Sequence, residues 1–194
     1  MSSLRAQRRQ RTTNTIRKVA VDLAYEHGLD GITVEMISAA AGVSPRTFFN
    51  YFSFRDAALT PPDLAFSEVE IARFAAAEGK LTDDLLTLLT PVFAALGDDR
   101  ETLQKCHMLA LDAPKLLAHA NSVYLKFDKT IAEVLARRLK TSFGDPDTGH
   151  LAALITATIK CGLGIWVMSG QGSAAGNVRK RLVAMPQLAS AFIV

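Results

Sequence analysis

The chain has 194 residues, of which 49% are hydrophobic and 21% are charged, and its formal net charge is +3. This composition is typical of a globular protein and excludes an intrinsically disordered chain. The two cysteines, Cys106 and Cys161, form no CxxC pair, which favours a reducing compartment, although a single disulfide between them stays open. No apolar stretch follows the basic start "MSSLRAQRRQRTTN", so we expect no signal peptide and a cytoplasmic location.

The positive charge is concentrated in the first third of the chain. Residues 1–60 hold eight Lys or Arg and five Asp or Glu, whereas residues 61–194 hold fourteen of each. Residues 1–20 alone carry six basic groups and no acidic one. A basic arm of this kind is a common counter-ion for phosphate, and a solvated, disordered tail is the alternative interpretation.

Three helices are predicted before Pro61-Pro62, which interrupts the pattern and marks the end of a first unit. Apolar residues recur every three or four positions over 12–27, as on one face of a helix. Thr33 is a suitable N-cap for a second helix, and Gly42 ends it. A third helix begins at Ser44.

Beyond the prolines the pattern predicts further helices and no strand. Pro91 is expected to kink its helix and open a gap beside it, and Pro114 is expected to separate two helices. The expected spans are 63–78, 82–96, 98–112, 121–143, 146–169 and 174–192. The fold class is therefore all-α, with about nine helices.

The stretch "AGVSPRTFFNYF" predicts a tight turn between the second and third helices. Ser44 suits an N-cap, and Pro45 suits the first helical position, where a missing N–H is no loss. Val43 can contact Phe48, which fixes the angle at which the chain enters the helix. Gly42 is expected to have a positive φ. Two short helices joined in this way form a helix-turn-helix.

The third helix is expected to have an apolar face and a polar face. The apolar face, which can pack on helices one and two, contains Phe48, Tyr51 and Phe52. The opposite face contains Arg46 and Asn50. The flanks between the two faces contain Thr47 and Phe49. Arg and Asn can hydrogen-bond to guanine and adenine edges in the major groove of DNA. The arrangement therefore predicts a DNA-binding helix, with ordinary core filling as the alternative.

The run "TVEMISAAAGVSPRTFFNYFSFRDAAL", Thr33 to Leu59, resembles the DNA-binding domain of the TetR family of bacterial transcriptional regulators (TetR/AcrR type). The resemblance covers roughly residues 10–60. It implies DNA contacts at Thr33, Ser44, Pro45, Arg46, Thr47, Phe49, Asn50, Tyr51 and Arg55. Two positions depart from the usual pattern: Phe49 replaces a frequent Tyr and so lacks a hydroxyl for phosphate, and Arg55 replaces a frequent Lys with retention of charge.

The same resemblance implies two domains. Residues 1–60 would form the helix-turn-helix domain, with its motif at 33–52, and residues 61–194 would bind an effector and dimerise. The resemblance further implies a homodimer on a palindromic DNA operator, in which a small-molecule effector lifts repression. Some regulators with a similar "SPRTFFNYF" pattern respond to fatty acyl thioesters, so a lipid-like effector is expected.

Large apolar residues on the later helices are the candidates for the effector pocket. They are Phe93, Met108, Tyr124, Phe127 and Trp166. Simple core packing is the alternative interpretation for each of them.

The segment 151–169 is long and apolar enough to be compared with a membrane span, although a charge such as Lys160 at its centre disfavours insertion by about 2.5–3.5 kcal/mol. Two stripes are predicted on this helix. The first contains Leu151, Leu154, Ile155, Thr158, Ile159, Gly162, Ile165 and Trp166, and the second contains Ala153, Ala157, Cys161 and Gly164. Two buried faces on one helix predict contact with its own core and with another subunit.

The remaining motifs give little support to an enzyme. The run "GQGSAAG" at 170–176 resembles a dinucleotide-binding loop, but its glycine spacing differs and no acidic residue follows about 20 positions later. The four histidines form no metal-ligand pattern, so no metal or cofactor is expected. The alternatives that stay open are a ligand-gated regulator and a DNA-binding protein without an effector.

Overall fold

A computed structural model describes residues 2–62, 65–97 and 99–190 of the protein. Over these residues it contains ten α-helices, two short 3-10 helices at Leu29–Gly31 and Arg55–Leu59, and no strand, which confirms the all-α class. The α-helices are α1 Ser2–His27, α2 Val34–Ala40, α3 Pro45–Phe49, α4 Glu68–Ala76, α5 Leu81–Leu88, α6 Thr90–Leu96, α7 Arg100–Asp112, α8 Pro114–Leu139, α9 Pro146–Ser169 and α10 Ala174–Ser190.

The largest differences from the expected helix boundaries are in α1, in α5 and α6, and in α8. α1 begins at Ser2 rather than at residue 12. Its first turns contain no helix-breaking residue, so the helix extends through them. They have no apolar face either, so hydrophobic periodicity does not predict them. The span 82–96 is divided into α5 and α6, with Pro91 in the first turn of α6 rather than at a kink. Pro114 lies between α7 and α8, as expected, but it is the first residue of α8, which therefore begins at 114 rather than 121, since the first helical turn tolerates the missing N–H.

The chain contacts define two compact units. The first contains the described residues up to 62 together with 99–122, and the second contains the described residues 65–97 and 123–190. The second half of the sequence therefore contributes α7 and the start of α8 to the unit that holds α1–α3. The functional division into 1–60 and 61–194 stays a prediction.

The core of the first unit joins the three N-terminal helices to α7. Ile16, Ile37 and Phe48 are fully buried in it, and Cys106 of α7 lies in the same cluster. Burial among these apolar groups disfavours the thiolate and raises the pKa of the Cys106 thiol to about 12. The Cys106 side chain therefore belongs to the hydrophobic core of the first unit.

An ion-pair network fixes α7 beside α1. The Lys105 ammonium lies 2.7 Å from the Asp22 carboxylate and 2.9 Å from that of Glu101, and Lys18 is 2.9 Å from Asp22. The hydrogen bonds that Lys105 donates to Asp22 and Glu101 raise the pKa of Lys105. Partial burial opposes ionisation of Asp22, but its bonds from Lys105 and Lys18 lower its pKa overall.

The second unit is built around α8 and α9. Phe127 and Ile131 of α8 are buried with Ile155 and Ile159 of α9, and the rings of Phe66 and Phe127 lie 6.1 Å apart. The central charge of α9 is neutralised locally, since Lys160 Nζ is 2.8 Å from an Asp128 carboxylate oxygen.

α9 packs closely on α10 through a glycine. A Cβ added at Gly162 would lie 2.7 Å from the Cα of Val178 and 2.9 Å from its backbone nitrogen. Only hydrogen at this position allows the two backbones to approach so closely.

The two predicted stripes of α9 are exposed to different degrees within one chain. Ile155, Ile159, Gly162 and Trp166 of the first stripe are buried, whereas Leu154 is 46% exposed in the single chain. The second, small-residue face is exposed along its whole length; it consists of Ala153, Ala157, Cys161 and Gly164.

In the described part of the chain α9 is the one helix with the length and hydropathy of a membrane span. This is weak evidence for a membrane span, because core helices of soluble proteins share these properties.

Candidate nucleic-acid interface

The turn between α2 and α3 is held by local hydrogen bonds. The Ser44 hydroxyl oxygen accepts the backbone N–H of Thr47 at 3.0 Å, and that of Thr33 accepts the N–H of Met36 at 3.2 Å. Gly42 has φ +67°, a left-handed conformation that glycine adopts without strain. These observations confirm both predicted N-caps, the positive φ of Gly42 and the start of α3 at Pro45.

Two phenylalanines attach α3 to the core of the first unit. Phe48 is fully buried and Phe52 nearly so, with their ring centroids 5.5 Å apart. Tyr51 is half-buried beside them. A helix of only five residues has little intrinsic stability, so this burial determines its position.

The opposite side of α3 carries the polar residues predicted to contact DNA. Arg46 and Asn50 are exposed, and Phe49 is 54% exposed with its ring at the edge of Phe48. The half-buried Thr47 has its hydroxyl 2.9 Å from that of Ser44. Asn50 is the C-cap of α3, and its backbone (φ −73°, ψ −15°) continues the helical direction. The structure thus brings Arg46, Phe49 and Asn50 onto one surface.

Arg55 is more strongly engaged within the protein than the sequence indicates. Its Nε donates to the Asp56 carboxylate at 2.8 Å, and its terminal nitrogen donates to the Ile32 carbonyl at 3.1 Å. These bonds tie the segment after α3 to the segment before α2. Because a guanidinium has five N–H donors, a phosphate contact remains compatible with them and stays a prediction.

Arg9 is a residue that the sequence analysis did not single out. Its guanidinium donates to the backbone carbonyl of Asn50 at 3.2 Å, and its Cζ lies 4.9 Å from the Tyr51 ring centroid. Arg9 therefore contacts the C-terminal end of α3 from α1. The seven-residue spacing from Arg9 to the buried Ile16 places both on one helix face, and this spacing was the signal available in the sequence.

The predicted pocket residues occupy different environments. Phe127 and Trp166 are core residues of the second unit. Tyr124 is half-buried, with the Lys160 ammonium 5.1 Å from its ring centroid, and burial raises the pKa of its hydroxyl. Met108 is 38% exposed on α7 in the first unit. Phe93 lines a cavity.

The cavity beside Phe93 lies within the second unit, is widely open to solvent and has a volume of about 480 Å³. α5, α6 and the first turns of α10 form its walls. Its lining residues are Leu86, Thr90, Phe93, Ala94, Ala175, Gly176 and Arg179. Among the described residues, no group of three or more His, Cys, Asp or Glu side chains is arranged to hold a metal ion.

Comparison with known proteins supports the interpretation of this surface. Residues 16–57 match the model of the bacterial regulatory proteins of the tetR family. A predicted mycofactocin biosynthesis transcriptional regulator, MftR of Mycobacterium tuberculosis (strain ATCC 25618 / H37Rv), is 31% identical over 140 residues, which cover 68% of this chain and 67% of MftR.

Solved structures share the fold. Thermus thermophilus FadR, a TetR-family transcriptional repressor in complex with lauroyl-CoA, has a TM-score of 0.52 and 20% identity, covering 89% of this chain and 92% of its own. The fatty acid degradation regulator FadR from Bacillus halodurans has a TM-score of 0.53 and 21% identity, covering 89% and 93%. SmeT in complex with triclosan also has a TM-score of 0.53 and 21% identity, covering 89% and 90%.

Proposed function

This chain belongs to the TetR family of bacterial regulatory proteins, and we propose that it is a homodimeric repressor of transcription that leaves its DNA operator when a small apolar or lipid-like effector binds. Membership of this family makes the chain a transcriptional regulator. The proposal adds repression, dimerisation and release by an effector.

The exposed surface of α3 is the observation that carries the DNA-binding part. Arg46 and Asn50 lie outside, while Phe48 and Phe52 hold the helix from within. Arg can contact guanine O6 and N7, and Asn can contact adenine N6 and N7, in the major groove. From the turn and the flanks, phosphate contacts would come from Thr33, Ser44, Thr47, Tyr51 and Arg55, and apolar contacts from Pro45 and Phe49.

The exposed apolar groups on the last two helices support a dimer. The small-residue face of α9 would allow close approach of a second copy, and Val183 and Leu188 of α10 are more than half exposed. A dimer would place two copies of α3 on half-sites about 34–36 Å apart, or a multiple of that distance, as a palindromic operator requires.

Release by an effector is supported by the cavity of the second unit. Lauroyl-CoA and triclosan, bound by FadR and SmeT, are ligands with large apolar parts. A cavity of about 480 Å³ with a mainly apolar lining is of the size that small ligands occupy. The effector would act by preferring a conformation whose two α3 helices do not fit the operator.

Replacing Arg46 with alanine is expected to weaken operator binding by about 1–3 kcal/mol, because a bidentate base contact is lost. The measurement is a mobility shift with DNA from upstream of the protein's own gene, at two salt concentrations and with competitor DNA. Arg73→Ala, an exposed arginine on α4 of the second unit, is the control and should bind normally. An unfolded Arg46→Ala variant, or one with full operator affinity, would contradict the assignment of Arg46 to base contact.

Replacing Arg9 with glutamine is expected to weaken operator binding about two- to fivefold more than the loss of one positive charge alone would, because the hydrogen bond to the Asn50 carbonyl and the contact with the Tyr51 ring are also lost. Arg8→Gln is the matched control, since it removes the same charge from the neighbouring exposed position. Titrations over a series of salt concentrations separate the two contributions. Equal losses in both variants would mean that Arg9 acts only through its charge.

Two alternatives make different predictions. A DNA-binding protein without an effector would bind the operator but gain no thermal stability from any compound of a small-molecule panel, whereas a ligand raises the melting temperature with its concentration. A dinucleotide-dependent enzyme would need a strand before the loop at 170–176, but α9 occupies that position.

A further inference from the structure

We propose that the cavity of the second unit binds a small amphipathic carboxylate, with its apolar chain against Leu86, Phe93 and Ala94 and its carboxylate on Arg179. The inference rests on the proposed function, because it specifies the chemical class of the effector. It assigns a binding role to Arg179, whose side chain the sequence gives no reason to single out.

The walls of the cavity select an apolar ligand body. Leu86, Phe93, Ala94 and Ala175 contribute hydrocarbon groups from three helices. The Thr90 hydroxyl donates to the Leu86 carbonyl at 3.2 Å, so its proton is already used. An inorganic anion would leave these apolar surfaces in contact with water, whereas a hydrocarbon chain would cover them.

The charge at the cavity selects a negatively charged head group. Arg179 is the one charged residue among those that line it. Its terminal nitrogen is 3.2 Å from an Asp83 carboxylate oxygen, and the two side chains are 60% and 52% exposed. An ion pair this exposed contributes little stability, so a ligand carboxylate can compete with Asp83 for the guanidinium. The planar fork of arginine also matches a carboxylate with two parallel hydrogen bonds.

The test uses three probes with the same ten-carbon chain and different heads: decanoate, decanol and decyltrimethylammonium. Calorimetric titration of the full-length protein, without DNA and below the concentration at which the probes aggregate, is expected to rank decanoate first, about tenfold tighter than decanol. The cation should bind most weakly. Equal affinities for decanoate and decanol would overturn the proposal.

Variants locate the site. Arg179→Gln is expected to reduce decanoate affinity to that of decanol, while Lys180→Gln, which removes a neighbouring exposed charge, should leave it unchanged. Asp83→Asn should tighten decanoate binding two- to threefold by removing the competing carboxylate. Ala94→Phe should block all three probes by filling the cavity, without altering Arg179. Binding that survives Arg179→Gln or Ala94→Phe would place the ligand elsewhere and refute the proposal.

Adding decanoate to the complex with operator DNA separates this inference from the proposed function. Decanoate bound through Arg179 without release of DNA would support the site and contradict its role in relieving repression. Specific DNA binding in a protein that binds no decanoate would refute the site and leave the DNA-binding regulator intact.

Discussion

Replacing Phe48 with alanine is expected to lower the free energy of unfolding of the first unit by about 3–5 kcal/mol. The ring is fully buried in a core cluster that includes Ile16 of α1 and Ile37 of α2, and its removal leaves a cavity there. Because natural domains are stable by only about 5–15 kcal/mol, the variant should lose operator binding through unfolding of the helix-turn-helix. Urea denaturation followed by circular dichroism, with hydrogen exchange of α1, measures the loss.

Phe49→Ala is the matched control for this prediction. Its ring is one position along the same helix and 54% exposed, so the free energy of unfolding should change by no more than about 0.5 kcal/mol. We expect Phe49→Ala to keep its fold and to show a weaker operator complex, since Phe49 is a proposed DNA contact. Comparable destabilisation by both substitutions would mean that the division of α3 into an inner and an outer face is wrong.

Replacing Gly162 with leucine is expected to destabilise the second unit by about 3 kcal/mol or more, at or above the upper end of typical overpacking effects. The first carbon of any side chain at this position would lie 2.7 Å from a backbone atom of Val178, so α9 and α10 would have to separate. Trp166, the single tryptophan of the chain, is buried one turn further along α9. Its fluorescence during urea denaturation reports the change directly.

Gly149→Leu provides a control on the same helix. A Cβ at Gly149 would have no neighbour within 4 Å, so leucine should leave stability unchanged or increase it by up to about 1 kcal/mol through its better helix propensity. The two substitutions thus have opposite expected signs. If Gly162→Leu were neutral, the close contact between α9 and α10 would not limit the stability of this unit.

The local features of the first sixty residues could be predicted because neighbouring residues determine them. Ser44 and Thr33 cap their helices through hydrogen bonds that span three residues, and Gly42 turns the chain through its own φ. The buried and exposed sides of α3 follow from helical periodicity once the start of the helix is known. No distant contact is needed for any of these predictions.

Features that depend on distant contacts were not predictable. Cys106 and Leu116 belong to the core of the first unit although they lie far along the chain from α1–α3, and no local pattern shows that α7 packs on α1. A single sequence also gives no means to decide whether Pro91 kinks a helix or begins a new one. Both a kinked helix and a new helix start are compatible with the absence of a backbone N–H at proline.

The candidate pocket shows the same limit for a functional site. The sequence indicates large apolar residues as pocket candidates, but such residues mostly fill cores, as Phe127 and Trp166 do. The lining of the cavity includes small and polar side chains such as Thr90, Ala94 and Arg179 beside Leu86 and Phe93, and large apolar character alone does not indicate them. Similarly, small residues on α9 indicated a close helix contact, but within the chain Gly162 makes it and the small-residue face stays exposed.

The two cysteines of the chain differ so much in environment that a thiol-specific reagent should distinguish them. Cys106 is fully buried with a pKa of about 12, whereas Cys161 lies exposed on the small-residue face of α9. Because the thiolate is the reactive form, a maleimide dye should attach once per folded chain, at Cys161. If two copies meet through this face, labelling will slow as the protein concentration rises. The native sequence thus carries a single attachment point for a spectroscopic probe at the proposed subunit contact.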